Sequence, residues 1–475
     1  MIIHKTIQNK KMKKIAFAVL MSLTSICFFG QDLTGQWNGV LKVPGMQLRL
    51  VFNISKTDNG LMTTMDSPDQ GAKGIPTTST TFENLSLKIT IANAKIEYEG
   101  VLGNDQIIVG TFKQSGQTFP LNLSKEKIEK EKLVRPQEPT KPYPYYSEDL
   151  SFENKTAGIT LAGTLTLPKK EGLFPAVILI SGSGPQNRDE ELLGHKPFLV
   201  LSDYLTQNGF AVLRFDDRGT GNSIGDFKTA TTADFSTDVA AAISFLKTRK
   251  EINPKKIGLI GHSEGGIIAP MIASQCKDVN FIILLAGPGI PGDQLLLLQQ
   301  ARIAKASGQS DSVIQKSEEL NKKAFEIVNK YTNPEELKTQ MTQYITTISK
   351  DSPEKPENMS EEDFVNLQLT KILNPWMIYF LRYNPSLALE KVKCPVLAMY
   401  GDKDLQVPAK ENIEAIKIAL AKGGNHKLTS QVLPNLNHLF QECKTGIPNE
   451  YATIEQTFSP IALAEILKWL QIQTK

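Results

Sequence analysis

The stretch with the most chemical content is Ile257-Gly258-Leu259-Ile260-Gly261-His262-Ser263-Glu264-Gly265-Gly266. A short apolar run enters a Gly-x-Ser-x-Gly turn, and a helical pattern follows. A serine hydroxyl attacks a carbonyl only when it is exposed and has a base beside it. A sharp strand-to-helix turn exposes the serine by straining its backbone, and flanking glycines leave room for neighbouring chain. The helix that starts there points its amides at a developing oxyanion. The five-residue pattern is common by chance; the strand before it and the helix after it make Ser263 the candidate nucleophile.

With this nucleophile the acid and then the base are expected downstream, in the order Ser, Asp, His. The chain has five histidines. His4 lies in the N-terminal segment, while His195 precedes and His262 adjoins the serine. His426 follows a Gly423-Gly424 turn and precedes the strand-like Leu428–Leu433, so it belongs at that strand's amino end. His438 follows the same strand and falls at its carboxyl end, which makes it the candidate base. Both Asp402 and Asp404 follow the apolar run Val396–Tyr400. Asp404 is preferred because it sits deeper in the turn, with Val407-Pro408 opening the next element; Asp402 is the fallback, its bland role being a turn cap. A buried carboxylate there would hold the imidazole tautomer and stabilise the imidazolium. Two backbone amides are needed for the oxyanion. Glu264, next to the nucleophile, supplies one. Ser183, in the loop Ser181-Gly182-Ser183-Gly184-Pro185, is chosen for the other, with Gly184 close behind, because glycine-rich backbone can approach a substrate closely.

These residues need strands and helices to hold them. From about 147 onward, a hairpin-like pair (Leu150–Phe152, Ile159–Leu167) precedes the apolar runs Ala176–Ser181, Ala211–Phe215, Ile257–Gly261, Phe281–Ala286 and Val396–Tyr400. Near-continuous apolar strands are what a parallel sheet covered on both faces requires. Asp234–Leu246, Gly265–Ser274 and Pro460–Leu470 carry helical periodicity between and after them. The alternation predicts a doubly wound, mostly parallel α/β sheet. Over a hundred residues separate Ala286 from Val396, with helical spacing in Gln294–Ala306, Ser312–Lys330 and Pro334–Ile348. That insertion, about 290–390, is expected to be a helical cap over the sheet's carboxyl edge, where open α/β folds bind ligands.

The N-terminal part differs. Residues 31–124 show short alternating runs (Gln47–Ile54, Leu85–Ile91, Lys95–Val101, Ile107–Phe112) separated by turn residues at 58–60, 103–105 and 115–116, which predicts a small all-β domain, barrel or sandwich, with Trp37 plugging one end. It reads as a packing or homodimerisation module before it reads as a glycan- or lipid-binding one. Residues 125–146 form a linker with a charged start and Pro136, Pro139, Pro142 and Pro144, expected to be extended and stiff. Residues 1–30 read as an export signal: five lysines, then the apolar run Ile15–Phe29, then polar Gln31 and Asp32; Met12 is an alternative start. The apolar run is shorter than the roughly 20 residues that span a bilayer, so no stable membrane insertion is expected after its removal. Exported chains of this kind are periplasmic or extracellular.

Composition is that of an ordinary globular chain, 40% hydrophobic and 22% charged over 475 residues. The five signal lysines take the formal charge of the rest from +3 to −2, which gives no reason to expect nucleic acid as a partner. Three cysteines outside the signal (Cys276, Cys394, Cys443) do not make a disulfide scaffold, and no Cys/His cluster has zinc-site spacing, so no metal or organic cofactor is expected.

Four motifs together resemble the α/β-hydrolase superfamily, and within it the bacterial serine aminopeptidase-like or dienelactone-hydrolase-like esterases: Gly-His-Ser-Glu-Gly-Gly at 261–266, Phe-Asp-Asp-Arg-Gly-Thr-Gly-Asn-Ser at 215–223, Gly-Asp-Lys-Asp at 401–404 and Asn-His at 437–438. The resemblance covers 147–475. It implies hydrolysis of a small-molecule carboxylic ester through an acyl-enzyme, with Arg218 a structural ion-pair partner. Many relatives carry His-Gly where this chain has Ser181-Gly182; because the oxyanion donors are backbone amides, this difference should not abolish hydrolysis. Trp376, Tyr379 and Phe380, late in the cap, are candidates for the substrate wall, with cap core as their ordinary role. The rival chemistries are an exo-acting peptidase of aminopeptidase or dipeptidyl-peptidase type, for which only Glu190 and Glu191 offer a carboxylate pair to hold a free amine, and a thioesterase. A vestigial, non-catalytic binding protein is the remote alternative.

Overall fold

The computed structural model describes residues 33–43, 46–58, 60–70, 72–114, 117–129, 135–349 and 360–475. The expected signal at 1–30 therefore lies outside the described residues, as do residues 130–134 of the linker. The chain divides into two compact units, Met1–Lys130 and Glu131–Lys475.

The first unit is all β. Strands β1 (Gly35–Val43), β2 (Met46–Thr57), β3 (Gly60–Ser67) and β4 (Ala72–Pro76) form one antiparallel meander. A second consists of β5 (Ser79–Glu83), β6 (Ser86–Ile91), β7 (Ile96–Leu102), β8 (Ile108–Gln114) and β9 (Gln117–Pro120). Side chains alternate in and out, as the period-2 runs require: in β7, Ile96, Tyr98 and Leu102 are buried while Glu97 and Glu99 face outward. The segment after β9 bridges to both sheets, through Ser124 to Asn38 of β1 and Leu123 to Ile108 of β8. Trp37 is fully buried in the shared core with Phe52, Tyr98 and Phe112, and its indole N–H donates to the Leu33 carbonyl at 2.8 Å.

The second unit holds an eight-stranded sheet. Its strands are β10 (Tyr146–Asn154), β11 (Ile159–Leu167), β12 (Phe174–Ile180), β13 (Ala211–Phe215), β14 (Ile252–His262), β15 (Val279–Leu285), β16 (Val396–Gly401) and β17 (Leu428–Leu433). They lie in the order β10-β11-β13-β12-β14-β15-β16-β17, with β11 antiparallel to both its neighbours and β12 to β17 mutually parallel. Every residue of β13 and β16 is buried, on both faces, which is why these strands read as continuous apolar runs. Helices α1 (Pro197–Gln207), α2 (Thr232–Lys247) and α3 (Gly265–Ala273) connect the early strands. The Thr231–Asp234 capping box starts α2. The chain runs from β12 out to β13 on one side and then to β14 on the other, so the carboxyl ends of β12 and β14 flank a topological switch point.

Between β15 and β16 the insertion is helical: α4 (Gly292–Ala306), α5 (Asp311–Lys330), α6 (Pro334–Ser349), α7 (Glu361–Ile372) and α8 (Pro375–Arg382). Phe325, Val328, Met341, Tyr344 and Leu381 build a core for this cap apart from the sheet's. A short α9 (Ser386–Leu389) leads to β16, α10 (Ala409–Lys422) joins β16 to β17, and α11 (Pro460–Gln473) ends the chain.

The linker from Arg135 onward is not a free spacer. The buried Arg135 guanidinium donates to the carbonyls of Leu193, Gly194, Ala452 and Ile454, and the Gln137 side chain bonds both Thr457 and Phe458. Guanidinium-to-carbonyl bonds of this number fix a backbone that proline spacing alone would leave extended. Among the described residues no helix is long and apolar enough to cross a membrane.

Candidate active site

The sequence-predicted loops converge on the carboxyl ends of β12, β14, β16 and β17. Ser263 follows β14 immediately and sits at φ +51°, the left-handed region that a serine occupies only under constraint. Its amide donates to the Leu285 carbonyl at 2.9 Å and its carbonyl accepts from the Gly266 amide at 2.8 Å, which pins the elbow on both sides. The two flanking glycines are obligatory: a Cβ on Gly261 would lie 2.0 Å from the Gly265 carbonyl oxygen, and one on Gly265 would lie 2.1 Å from that of Ile180.

His438 and Asp404 meet. The His438 Nδ1 lies 2.8 Å from Asp404 Oδ2, and both side chains are almost fully buried. Asp404 Oδ1 accepts the amides of Gln406 at 2.8 Å and Val407 at 2.9 Å, so the carboxylate is aimed by its own turn. Asp402, the fallback acid, instead accepts the Asn435 amide at 2.6 Å, a turn contact away from the imidazole. His426 is exposed at the amino end of β17. An imidazole whose Nδ1–H is held by a buried carboxylate presents Nε2 as a proton acceptor, the state a serine nucleophile requires.

The amides of Ser183 and Glu264, the two expected to face an oxyanion, have no protein acceptor among the described residues. The loop that carries Ser183 is shaped by Asp217, which accepts from the Ser181 hydroxyl at 3.0 Å and the Gln186 amide at 2.9 Å. Burial pushes the Asp217 carboxyl up to about 8. Gly182 passes close to Ser263, its Cβ position lying 3.2 Å from Ser263 Cβ, and its amide is already committed to Glu190 Oε1 at 2.7 Å.

Glu264 has a second task. Its buried carboxylate accepts from the Thr232 hydroxyl at 2.6 Å and from the Trp376 indole at 2.8 Å, so the residue after Ser263 is tied to the cap. Burial raises its pKa and these two bonds act against the rise. Trp376 stacks on Phe380 at 5.1 Å between centroids, and Tyr379 stacks on Tyr383 at 5.7 Å. Trp376 and Tyr379 are half-buried, whereas Phe380 is buried in the main core. A cavity of about 20 Å³ beside Gly182, Asp217 and Glu264 has room for about one water.

Other candidates have structural partners. Arg218 forms a buried two-pronged pair with Asp238, at 2.8 and 2.9 Å, as the resemblance implied. Glu190 is buried and engaged with Gly182 and His262, and Glu191 is exposed, so the two do not form an open amine-binding pair. Cys276, Cys394 and Cys443 are half-buried free thiols. Among the described residues no cluster of His, Cys, Asp or Glu is arranged to hold a metal. Sequence reasoning missed His262 as anything but a residue adjoining the serine; its ring packs 4.8 Å from that of His438.

A mostly parallel sheet with an elbow serine at a switch point, beneath a helical insertion, defines an α/β-hydrolase. Residues 197–441, more than half of the chain, match the family described as "Serine aminopeptidase, S33", and the chain belongs to that family. It is 31% identical over 179 residues to esterase EstD of Thermotoga maritima, a match covering 36% of this chain and 43% of that protein. It is 30% identical over 146 residues to thiohydrolase apmlB of Arthrinium phaeospermum, covering 30% and 44%. The matched stretch thus spans less than half the length of these relatives. Among solved structures, the Pyrococcus furiosus esterase Pf2001 aligns at 15% identity with a TM-score of 0.43, covering 73% of this chain and all of that one.

Proposed function

We propose that this chain is an exported serine hydrolase that cleaves carboxylic esters through an acyl-enzyme on Ser263. Ser263 Oγ attacks the ester carbonyl while His438 Nε2 takes its proton, and Asp404 orients the imidazole and balances its charge. The amides of Ser183 and Glu264 hold the tetrahedral oxyanion. The alcohol leaves with the proton carried by His438, and water, activated by the same base, releases the acid and restores the serine. Trp376 and Tyr379, half-buried in the cap, wall the acyl side, while Phe380 packs behind Trp376 in the core.

The observation that carries this reading is the buried His438–Asp404 pair at 2.8 Å, in the loops that follow β16 and β17, together with a serine at φ +51° directly after β14. Ester preference is supported by the relative named an esterase and by the internal engagement of Glu190, which keeps Glu190 and Glu191 from forming an open pair for a peptide's amine. The similarity to a thiohydrolase favours thioesters as a second substrate class. The test is hydrolysis of p-nitrophenyl esters from acetate to decanoate and of matched thioesters, beside aminoacyl anilides. Ester turnover is expected. Anilide turnover without ester turnover would overturn the reading in favour of an exopeptidase. Export is tested by fractionation of cells producing the full chain, and retention of the intact chain in the cytoplasm would contradict it.

A further inference from the structure

Glu190 and His262 lie next to the triad residues and are not among them. Glu190 is buried and sits at φ +51°, strained backbone for a residue with a side chain. Its Oε1 accepts the Gly182 amide at 2.7 Å and lies 2.8 Å from His262 Nδ1. The opposite ring nitrogen, His262 Nε2, lies 3.0 Å from the main-chain carbonyl of His438. One carboxylate and one imidazole thus touch three segments: the oxyanion loop at Gly182, the elbow beside Ser263, and the loop carrying the base.

The partners of the ring constrain where its protons sit. The His438 carbonyl can only accept, so His262 Nε2 carries a proton. With Glu190 as a carboxylate, its Oε1, which already accepts the Gly182 amide, can only accept from the ring, and Nδ1 then carries a proton as well. The groups facing the ring are Glu190, the His438 ring at 4.8 Å, the edge of Phe440 at 6.5 Å and, further off, the charge of Asp404. Burial works against a charged ring here; the Glu190 charge and hydrogen bond, the His438 carbonyl and Asp404 outweigh it, and the His262 pKa lies above the ordinary histidine value.

We propose that Glu190 and His262 are positioning residues for the hydrolysis, a buried carboxylate–imidazolium pair that holds the oxyanion loop, the nucleophile elbow and the base loop in register. The proposal rests on the reading of Ser263, Asp404 and His438 as the triad. Neutralising Glu190 leaves three donors and acceptors that a neutral imidazole and an amide cannot all satisfy. Either the Gly182 amide or the His438 carbonyl then loses its partner, and the loops it held shift. Small displacements of catalytic groups cost up to about 100-fold in rate.

The test uses the full chain, with Glu190→Gln and His262→Gln compared with Ser263→Ala. The expected result is a kcat about 10- to 100-fold lower in both glutamine variants, with KM within about twofold and unchanged circular dichroism. In protein labelled with 15N-histidine at pH 7.5, the His262 ring should show two N–H protons, falling to one in Glu190→Gln. A single ring proton in the wild type overturns the proposal even if the variants do not fold. Abolished turnover in Ser263→Ala with kcat within twofold in Glu190→Gln overturns it while leaving the triad standing. Turnover surviving Ser263→Ala removes the triad reading, and the positioning role falls with it.

Discussion

Replacing Asp404 by asparagine isolates what the buried carboxylate does. Asp404 Oδ1 accepts two backbone amides, from Gln406 and Val407, and Oδ2 faces His438 Nδ1 at 2.8 Å. An asparagine must put its oxygen where the two amides point, because reversing it would oppose two N–H donors with an NH2 group. Its NH2 then faces His438 Nδ1, which has to become an acceptor, and the ring proton moves to Nε2. An imidazole in that tautomer cannot take the proton of Ser263. The expected loss is about 10³- to 10⁴-fold in kcat, or roughly 4–5.5 kcal/mol of barrier, with little change in fold or KM. Asp402→Asn is the comparison, since Asp402 caps the turn at Asn435; it should lose less than about tenfold, the turn bond being worth about 1 kcal/mol. The assay is steady-state hydrolysis of whichever p-nitrophenyl ester the wild type turns over fastest. Retention of more than a tenth of wild-type kcat by Asp404→Asn, or a larger loss in Asp402→Asn, would refute the assignment of the acid.

Three further outcomes follow from other parts of the site. Because Ser263 holds φ +51°, Ser263→Gly should be more stable than Ser263→Ala by about 1 kcal/mol in urea unfolding, the reverse of the usual order of these residues; equal stability would mean the elbow is unstrained. Trp376→Phe removes one of the two donors to the buried Glu264 carboxylate and should cost about 1–3 kcal/mol, and a change below 0.5 kcal/mol would show that the tie to the cap carries no stability. His195 is buried between the Thr457 hydroxyl and the Tyr451 carbonyl, and burial lowers its pKa to about 4 from the ordinary 6.5. Its folded form resists protonation while the unfolded chain takes the proton, so stability is lost as pH falls from about 6.5 towards 4, by about 3 kcal/mol in all. His195→Gln should flatten that fall in urea melts between pH 7 and 4.5; an unchanged slope would assign the acid sensitivity elsewhere.

The sheet was legible because burial on both faces writes an apolar run. Ala211–Phe215 matches its strand end for end, and Val396–Tyr400 falls one residue short of its own. The loops that carry Ser263, Asp404 and His438 follow from the rule that open parallel sheets bind ligands at their carboxyl edge. Helix α1 was missed for the opposite reason: Pro197 to Ser202 are all buried, so no polar face marks a helical period. Strand β1 was missed because Trp37, Asn38 and Gly39 are buried in succession, which erases the alternation that marks a strand. The side-chain pairings around these residues were not legible. Glu190 meets His262 72 residues away and Trp376 meets Glu264 across 112, and nothing in a polar glycine-rich loop or a cap helix signals such a partner before folding. The order rule that selected His438 also hid His262, since it asks which histidine is the base and not which histidine supports it.

Active-site labelling asks directly whether Ser263 is the acylated nucleophile. The purified full chain is treated with a fluorophosphonate, which reacts with activated serines, and digested for mass spectrometry. One adduct is expected, on the peptide containing Gly261-His262-Ser263, formed in step with loss of esterase activity and absent from Ser263→Ala. An adduct on another serine, or ester turnover that survives full labelling of Ser263, would contradict that assignment.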